Sequence, residues 1–358
     1  MLAVPLLLGF KFGGDTIKVG VAVPLSAGAE QIGTDVKNGV ALAVAEWNAK
    51  GGVLGKKIEL VVGDDRGDAA MAATVANRLI ESGVVGVIGH VNSDVSLAAL
   101  KYYNRAGIPM ITPASTNPSL TTKGYTGVFR TCGKDDLQTK IAADFIAKFK
   151  FKKIAFIHDK TIYGQWLVDE FMKHVRGKVD EVHYAGFAQE DKDFQPILKA
   201  LLTKQPSLIY FGGIYSDAAL LLKQSRESGI DAVFMSADAA ADQKFVEIAG
   251  AANTIRDVYF TAAPDIKKLS SAKNFVAAYE QKFGAIGEYS AYAYDAANAL
   301  FKALEQAGTT SGKKVVAELH DLSFDGVTGK IKFNAEGDVT NASYTIWTIK
   351  DGKLVEYK

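Results

Sequence analysis

Apolar and polar positions alternate along this chain in a way that predicts strands and helices in regular turn. Short runs that are almost entirely apolar, such as 84–89 and 108–111, are typical of strands buried on both faces of a sheet. Between such runs, apolar residues recur at helical spacing, as in Val36, Val40 and Val44. A repeated strand–helix order with buried strands predicts parallel sheets that carry helices on both faces.

The same pattern starts again after about residue 134, which indicates a second α/β lobe. A chain of 358 residues exceeds one ordinary core, so two lobes are expected on length as well. Two longer helical patterns, 273–283 and 291–306, follow the second lobe. The C-terminal segment 342–358 reads as a hairpin with its turn at Asp351-Gly352.

Composition and motifs exclude several classes of function. The net charge is +1 and no long run of one sign occurs, which argues against nucleic acid or an acidic membrane surface as a partner. The single cysteine, Cys132, cannot form an internal disulfide, and the five histidines lack the spacing of metal ligands. No dinucleotide-binding fingerprint, nucleophile elbow or zinc-protease motif occurs. We therefore expect no catalytic residue, metal or cofactor.

Residues 1–14 form an apolar segment that does not fit the repeating pattern. The segment is too short to span a bilayer and lacks the basic residues that begin a signal peptide. We interpret it as the remnant of a truncated export signal or as a cloning remnant, and the fold is expected to start at Asp15.

Two predicted strands of the first lobe end in clusters of polar residues. Asn92 and Ser93 follow the strand 84–89, and Ser115 and Thr116 follow the next strand. Ligands of open parallel sheets lie beyond the carboxyl ends of the strands, where free helix amides favour an anion. With Ser93 read as the N-cap of a helix, these neutral donors suit a carboxylate. The alternative is that they only cap a helix and form a turn.

The second lobe offers an aromatic side chain and an acid at corresponding positions. Tyr163 lies in the loop after the strand 153–159, and Asp238 follows the strand 232–237. A carboxylate on that loop could take a ligand ammonium, although an N-cap is the alternative role. Asp217 competes for the same function, but its sequence context reads more simply as a helix start.

Several ordered motifs in this chain resemble those of one family. They are "IKVGVAVPLSAG", "GVIGHVNSD", "MITPASTNPSLT", "FRTCGKDDLQ" and "IAFIHDKTIYG". Together they resemble the branched-chain amino-acid (Leu/Ile/Val-type) periplasmic binding proteins of bacterial ABC importers, from Asp15 to the C-terminus. The resemblance implies the type I periplasmic binding fold, with two doubly wound parallel-sheet lobes joined by three crossovers. The lobes would comprise 15–131 with 263–342, and 132–262 with 343–358.

The resemblance also implies a function. The chain would be an exported, periplasmic solute-binding protein, expected to be a monomer, that closes on an amino acid and delivers it to a membrane ABC permease. A neutral aliphatic amino acid is the expected ligand. A small-molecule sensor for a signalling partner remains an alternative, as does a binder of an amide, a γ-amino acid or an aromatic acid.

Residue roles follow from the same resemblance. Ser93 and Thr116 would hold the α-carboxylate, while the carbonyl of Ala114 and the acid Asp238 would hold the α-ammonium. Tyr163 would form an aromatic wall, and Tyr289 would contact the ligand side chain.

The sequence also departs from the best-known members of that family. Arg66 and Asn92 stand where those members have a disulfide, and Ile32 and Ile214 stand where tyrosines line the pocket. Asp238 is one methylene shorter than the usual Glu. The resemblance therefore implies how the ligand's carboxylate is recognised more directly than it implies which ligand side chain is preferred.

Overall fold

Two sheets of mainly parallel strands organise the chain. The computed structural model describes residues 16–189 and 191–358, so the segment interpreted as a signal remnant lies outside the described residues. One sheet has five strands and the other has seven, and a two-stranded ribbon accompanies them. The fold class expected from the sequence is confirmed, with doubly wound sheets in two lobes.

The first sheet is entirely parallel, with strand order β2-β1-β3-β4-β5. Strand β1 lies inside the sheet between β2 and β3, and its residues Val19, Val21 and Val23 are fully buried. The elements are β1 (Ile17–Val23), α1 (Glu30–Ala49), β2 (Ile58–Asp64), α2 (Ala72–Glu81), β3 (Val87–Gly89), α3 (Ser93–Ala106), β4 (Met110–Thr112) and β5 (Val128–Arg130).

The second sheet repeats this order, since its parallel strands run β7-β6-β8-β9-β10. Strand β8 is buried along its whole length, as an uninterrupted apolar run predicts. The elements are α4 (Asp135–Ile146), β6 (Lys153–His158), α5 (Ile162–Val175), β7 (Asp180–Gly186), α6 (Gln195–Lys204), β8 (Leu208–Gly212), α7 (Tyr215–Glu227), β9 (Val233–Ser236), α8 (Gln243–Ala249) and β10 (Val258–Ala262).

The C-terminal part of the chain serves both sheets. Helices α9 (Lys273–Phe283), α10 (Ser290–Ala307) and α11 (Gly312–Asp321) return to the first sheet, where α10 packs on α1. The ribbon of β11 (Ser323–Gly326) and β12 (Gly329–Lys332) follows. The hairpin of β13 (Thr345–Lys350) and β14 (Lys353–Glu356) then adds antiparallel strands beside β10, with Asp351-Gly352 at its turn as expected.

We call the elements around the five-stranded sheet the first lobe and those around the seven-stranded sheet the second lobe. The chain passes between the sheets after β5, after β10 and before β13. The boundaries at 131, 262 and 342 stay predictions. No described helix combines the length and apolar content needed to cross a membrane.

Both sheets share a strand order that reverses direction between β1 and β3 and between β6 and β8. Crevices at such reversal points, beyond the carboxyl ends of the strands, are where doubly wound sheets bind ligands. The loops that leave β3 and β6 therefore indicate where a site should lie.

Candidate functional site

A cavity lies between the lobes at these two reversal points. It leaves about 30 Å³ for the centre of a water-sized sphere, so the enclosed space is small in this arrangement of the lobes. First-lobe residues contribute one wall and second-lobe residues the other. The lining comprises Ala29, Ile32, Val91, Asn92, Ser93, Asp94, Ala114, Asp159, Thr161, Tyr163, Gln189, Ile214, Ala239 and Tyr289.

The first-lobe wall is built on the start of α3. Asn92 is the N-cap and Ser93 the first helical residue, so the prediction that Ser93 is the N-cap was wrong by one residue. Asn92 makes no side-chain capping hydrogen bond, and the first intrahelical bond runs from the amide of Ser96 to the carbonyl of Asn92. The amides of residues 93–95 therefore precede the helical ladder. The carboxylate of Asp94 in this first turn interacts with the amides of Asp94 and Val95, which leaves the Ser93 amide for an anion.

The backbone that leads into this helix requires glycine. Gly89 ends β3 with a φ of +131°, a region that L side chains rarely adopt. A Cβ at Gly89 would also lie 2.1 Å from the carbonyl oxygen of Ala22. This close approach to β1 directs the following residues, including Ser93, toward the cleft.

The loop after β4 supplies one residue to the cavity wall and two to its support. Ala114 lines the cavity, whereas Ser115 and Thr116 do not. The Ser115 hydroxyl is used inside the first lobe, where it lies 2.7 Å from the Ser96 hydroxyl and donates to the carbonyl of Val91 at 2.8 Å. Thr116 Oγ1 is buried and makes no hydrogen bond of normal geometry with any described residue.

A buried arginine fixes this loop. The guanidinium of Arg130 donates to the carbonyls of Ser115 at 2.9 Å and Asn117 at 3.1 Å, the two residues that flank Thr116. Its Nε donates to Asp338 at 2.6 Å. Arg130 is fully shielded from solvent, so these bonds are strong and hold the loop in one conformation.

The second-lobe wall follows strands β6 and β8. Tyr163 lies in the first turn of α5, and Ile214 is the N-cap residue of α7. Asp159 directly follows β6, and its Oδ1 accepts from the amide and hydroxyl of Thr161. Its Oδ2 is buried without a partner among the described residues. Burial raises the pKa of Asp159 to about 7.

Asp238 lies behind Tyr163 rather than on the wall of the main cavity. It starts a short 3₁₀ helix, so the alternative role as N-cap does not apply. Asp238 Oδ1 accepts from the Tyr163 hydroxyl at 2.6 Å and from the Gln138 amide at 3.0 Å. Burial raises the pKa of Asp238. The competing acid, Asp217, is instead paired with Lys192 at 2.8 Å.

Asp238 faces a second, smaller cavity that adjoins the first and leaves about 10 Å³ for the centre of a water-sized group. The two cavities share the wall residues Ile32, Ala239 and Tyr289. The rest of the second lining is Asp35, Ala241, Asp242 and Glu288. We call this second space the acidic annex, defined by these seven residues together with Asp238.

The structure thus gathers most of the residues predicted for the site. Six of the nine line the main cavity, namely Asn92, Ser93, Ala114, Tyr163, Ile214 and Tyr289. Asp238 lines the annex, while Ser115 and Thr116 lie beneath the wall. Their roles toward a ligand stay predictions.

Six acids near the site were missed by sequence reasoning. Asp94 and Asp159 line the main cavity, Asp35, Asp242 and Glu288 line the annex, and Asp135 lies behind Asp238. Asp159 directly follows a buried strand, so the rule that nominated Ser93 could have found it. No feature of the neighbouring sequence marks Glu288. It is 50 residues from Asp238 along the chain, and only the fold brings the two side chains together.

No metal centre is indicated by the side chains that the structure describes, because no group of three or more potential metal ligands comes together there. Cys132 is buried as a free thiol, and burial raises its pKa, which makes it a poor nucleophile. The neutral donors lie in the first lobe, whereas carboxylates line the site from both lobes. They are Asp35, Asp94 and Glu288 from the first lobe and Asp159, Asp238 and Asp242 from the second.

Comparisons with known proteins agree with this geometry. A sequence model of the family described as periplasmic binding protein matches residues 16–353. A Leu/Ile/Val-binding protein homolog from Brucella melitensis is 32% identical over 95% of this chain and 93% of its own length. A leucine-, isoleucine-, valine-, threonine- and alanine-binding protein from Pseudomonas aeruginosa is 32% identical over 100% of this chain and 96% of its own length.

Solved structures give the same result. The crystal structure of a leucine-binding protein from Thermotoga maritima has a TM-score of 0.89 and 30% identity, covering 96% of this chain and 98% of that one. A branched-chain amino acid transporter substrate-binding protein from Streptococcus pneumoniae, in complex with isoleucine, has a TM-score of 0.87 and 29% identity, covering 96% and 100%.

Proposed function

The chain belongs to the periplasmic binding protein family, and we propose that it is the solute-binding protein of an ABC importer for an α-amino acid. The observation that carries this proposal is the cavity between the lobes, with the start of helix α3 on one wall and an acid behind the other. A neutral aliphatic side chain is the first candidate, as in the relatives named for leucine, isoleucine and valine.

The ligand's α-carboxylate would lie at the start of α3. The amide and hydroxyl of Ser93 are next to the cavity, and the helix dipole favours a negative charge there. Thr116 would contribute its buried hydroxyl, which forms no hydrogen bond of normal geometry and whose protein neighbour is the carboxyl group of Asp135. A buried polar atom of this kind is costly unless a ligand or a water satisfies it.

The α-ammonium would lie between the carbonyl of Ala114 and the carboxylate of Asp238. Asp238 is 3% exposed and is oriented by Tyr163 and Gln138. An ammonium enclosed in the closed cleft requires such a partner, because an unpaired buried charge is strongly unfavourable. Apolar surface for an aliphatic side chain is supplied by Ile32 and Ile214.

Ligand bridging would favour the closed arrangement of the lobes, since each lobe supplies part of the binding energy. In the present structure the lobes touch beside the cavity, where the Asn117 side-chain amide donates to the carbonyl of Ile162 at 3.3 Å. We propose that the closed, monomeric form docks on a membrane permease from the periplasm, and that the protein catalyses no reaction.

Ligand screening by thermal unfolding tests this function. A ligand present at 100 times its Kd stabilises the folded state by about 2.7 kcal/mol, so a true ligand among the common amino acids should raise the melting temperature clearly. Calorimetric titration of the best ligand against its methyl ester then tests the carboxylate. Equal affinities for the acid and the ester, or no stabilising amino acid in the screen, would contradict the proposal.

A further inference from the structure

The acidic annex contains more acidic side chains than the single α-ammonium of a neutral amino acid could pair with. Asp35, Asp238, Asp242 and Glu288 all line it, and no Lys, Arg or His belongs to its described lining. The α-ammonium of a bound amino acid would offset one of these carboxylates. The others would still be enclosed between the lobes, and buried acids without a cation are costly.

Two of the four acids already have hydrogen-bond partners that account for them. Asp35 accepts from the Tyr279 hydroxyl at 2.7 Å and from the amide of Tyr289 at 3.0 Å. Asp242 caps α8 by accepting from the amide of Lys244 at 2.7 Å. These two acids therefore have structural roles and add negative potential to the annex.

Glu288 is different because only one of its two carboxylate oxygens accepts a hydrogen bond. Its Oε1 accepts from the amide of Ala263 at 3.1 Å, in the crossover after β10. Its Oε2 is shielded from solvent and has no hydrogen-bond partner in the described part of the chain. Burial, followed by the nearby charge of Asp238, raises the pKa of Glu288 well above its usual range. An enclosed, unpartnered oxygen of this kind marks a place for a donor.

The annex is positioned to receive the end of a ligand side chain. It shares Ile32, Ala239 and Tyr289 with the main cavity. The methylene chain of a ligand in the main cavity would therefore pass along these residues into the annex. Asp238 stands at this junction and would hold the α-ammonium. Glu288 would then face the side-chain terminus.

We propose that the acidic annex binds a cationic side-chain terminus, so that the protein accepts amino acids ending in an ammonium or guanidinium group in addition to neutral aliphatic ones. Glu288 is the specificity-determining residue of this subsite. The inference rests on the proposed function, since it assumes an α-amino acid in the main cavity. With a neutral side chain, Glu288 would remain protonated, which explains how both ligand classes can be accommodated.

Calorimetric titration with L-lysine and L-norleucine tests this inference, because norleucine has the methylene stem of lysine without the ammonium. We expect lysine to bind the unaltered protein more tightly than norleucine. In Glu288→Gln, which retains an acceptor for the Ala263 amide, the preference for lysine should fall by at least about tenfold, as for loss of a hydrogen bond to a charged group. Asp231→Asn is the matched control, because Asp231 is an exposed second-lobe acid paired with Arg256.

Proton release provides a second readout that a purely structural role would not change. An incoming ammonium favours the charged form of Glu288, so lysine binding should release protons near neutral pH, whereas norleucine binding should not. The heats measured in buffers of different ionisation enthalpy report this release. Glu288→Gln should reduce it.

Two results would overturn the inference and are distinguishable from each other. If norleucine or leucine binds and lysine does not, or if Glu288→Gln leaves the preference unchanged, the annex is not a cation subsite although the proposed function stands. If no amino acid binds at all, the proposed function fails together with the inference.

Discussion

Replacing Asp238 with Asn removes the charge that we assign to the ligand's α-ammonium and leaves the shape of the site unchanged. Asp238 is 3% exposed, so the ammonium it holds would be shielded from water in the closed cleft. Truncating one partner of such a pair costs about 2–5 kcal/mol in binding. The lower part of this range applies here, because Asp135 and Glu288 lie near enough to interact electrostatically with Asp238. About 2–3 kcal/mol corresponds to a Kd roughly 30- to 150-fold higher.

Asp217→Asn is the matched control for this experiment. Asp217 lies in the first turn of the neighbouring helix α7 and pairs with Lys192, whose side chain is 56% exposed. Such a pair contributes about 0–1 kcal/mol to stability and, by our assignment, nothing to binding. Both variants are titrated calorimetrically with the best ligand from the thermal screen. The assignment is refuted if Asp217→Asn weakens binding as much as Asp238→Asn, or if Asp238→Asn changes Kd by less than about threefold.

Three further predictions concern the first-lobe donors, the buried acid of the main cavity and the loop support. Ser93→Ala should weaken ligand binding by roughly 1.5–3 kcal/mol in calorimetry, and unchanged affinity would reduce Ser93 to a structural residue. Asp159 has a folded-state pKa of about 7 against a reference value of 3.8, so the folded state binds more protons than the unfolded state between these values. The ligand-free protein should therefore melt at a higher temperature near about pH 5 than near about pH 8, and Asp159→Asn should reduce this difference. Arg130→Met leaves Asp338 without its buried partner and should lower the free energy of unfolding in urea by about 3–5 kcal/mol, whereas a loss below about 1 kcal/mol would contradict the bracing role of Arg130.

The secondary structure could be predicted well from the sequence because most elements have a strong period. The helix 273–283 was predicted with the bounds that α9 has in the structure. Strand β3 was predicted over 84–89 but pairs as a strand only over residues 87–89. An apolar run shows burial and does not show where the hydrogen-bonded ladder begins. The start of α3 was misplaced by one residue for a similar reason, since Asn92 and Ser93 are both good capping residues.

The candidate site was predictable where its residues directly follow strands. Ser93 and Tyr163 follow buried strands at the reversal points, so the rule for doubly wound sheets nominates their loops. Glu288 could not be found in this way because it precedes α10 and reaches Asp238 only through the crossing of the chain between lobes. The hydroxyl of Ser115 has the residue type and position of a ligand contact, but its bonds to Ser96 and Val91 direct it inward.

The central claim is that an amino acid is captured between two lobes that close around it. Small-angle scattering with and without a saturating concentration of the best ligand tests this claim most directly. The account predicts a smaller radius of gyration for the bound protein, with a scattering profile that matches the present structure, in which Asn117 and Ile162 join the lobes beside the cavity. Identical profiles, under conditions where calorimetry shows full occupancy, would contradict closure and leave a rigid pocket instead.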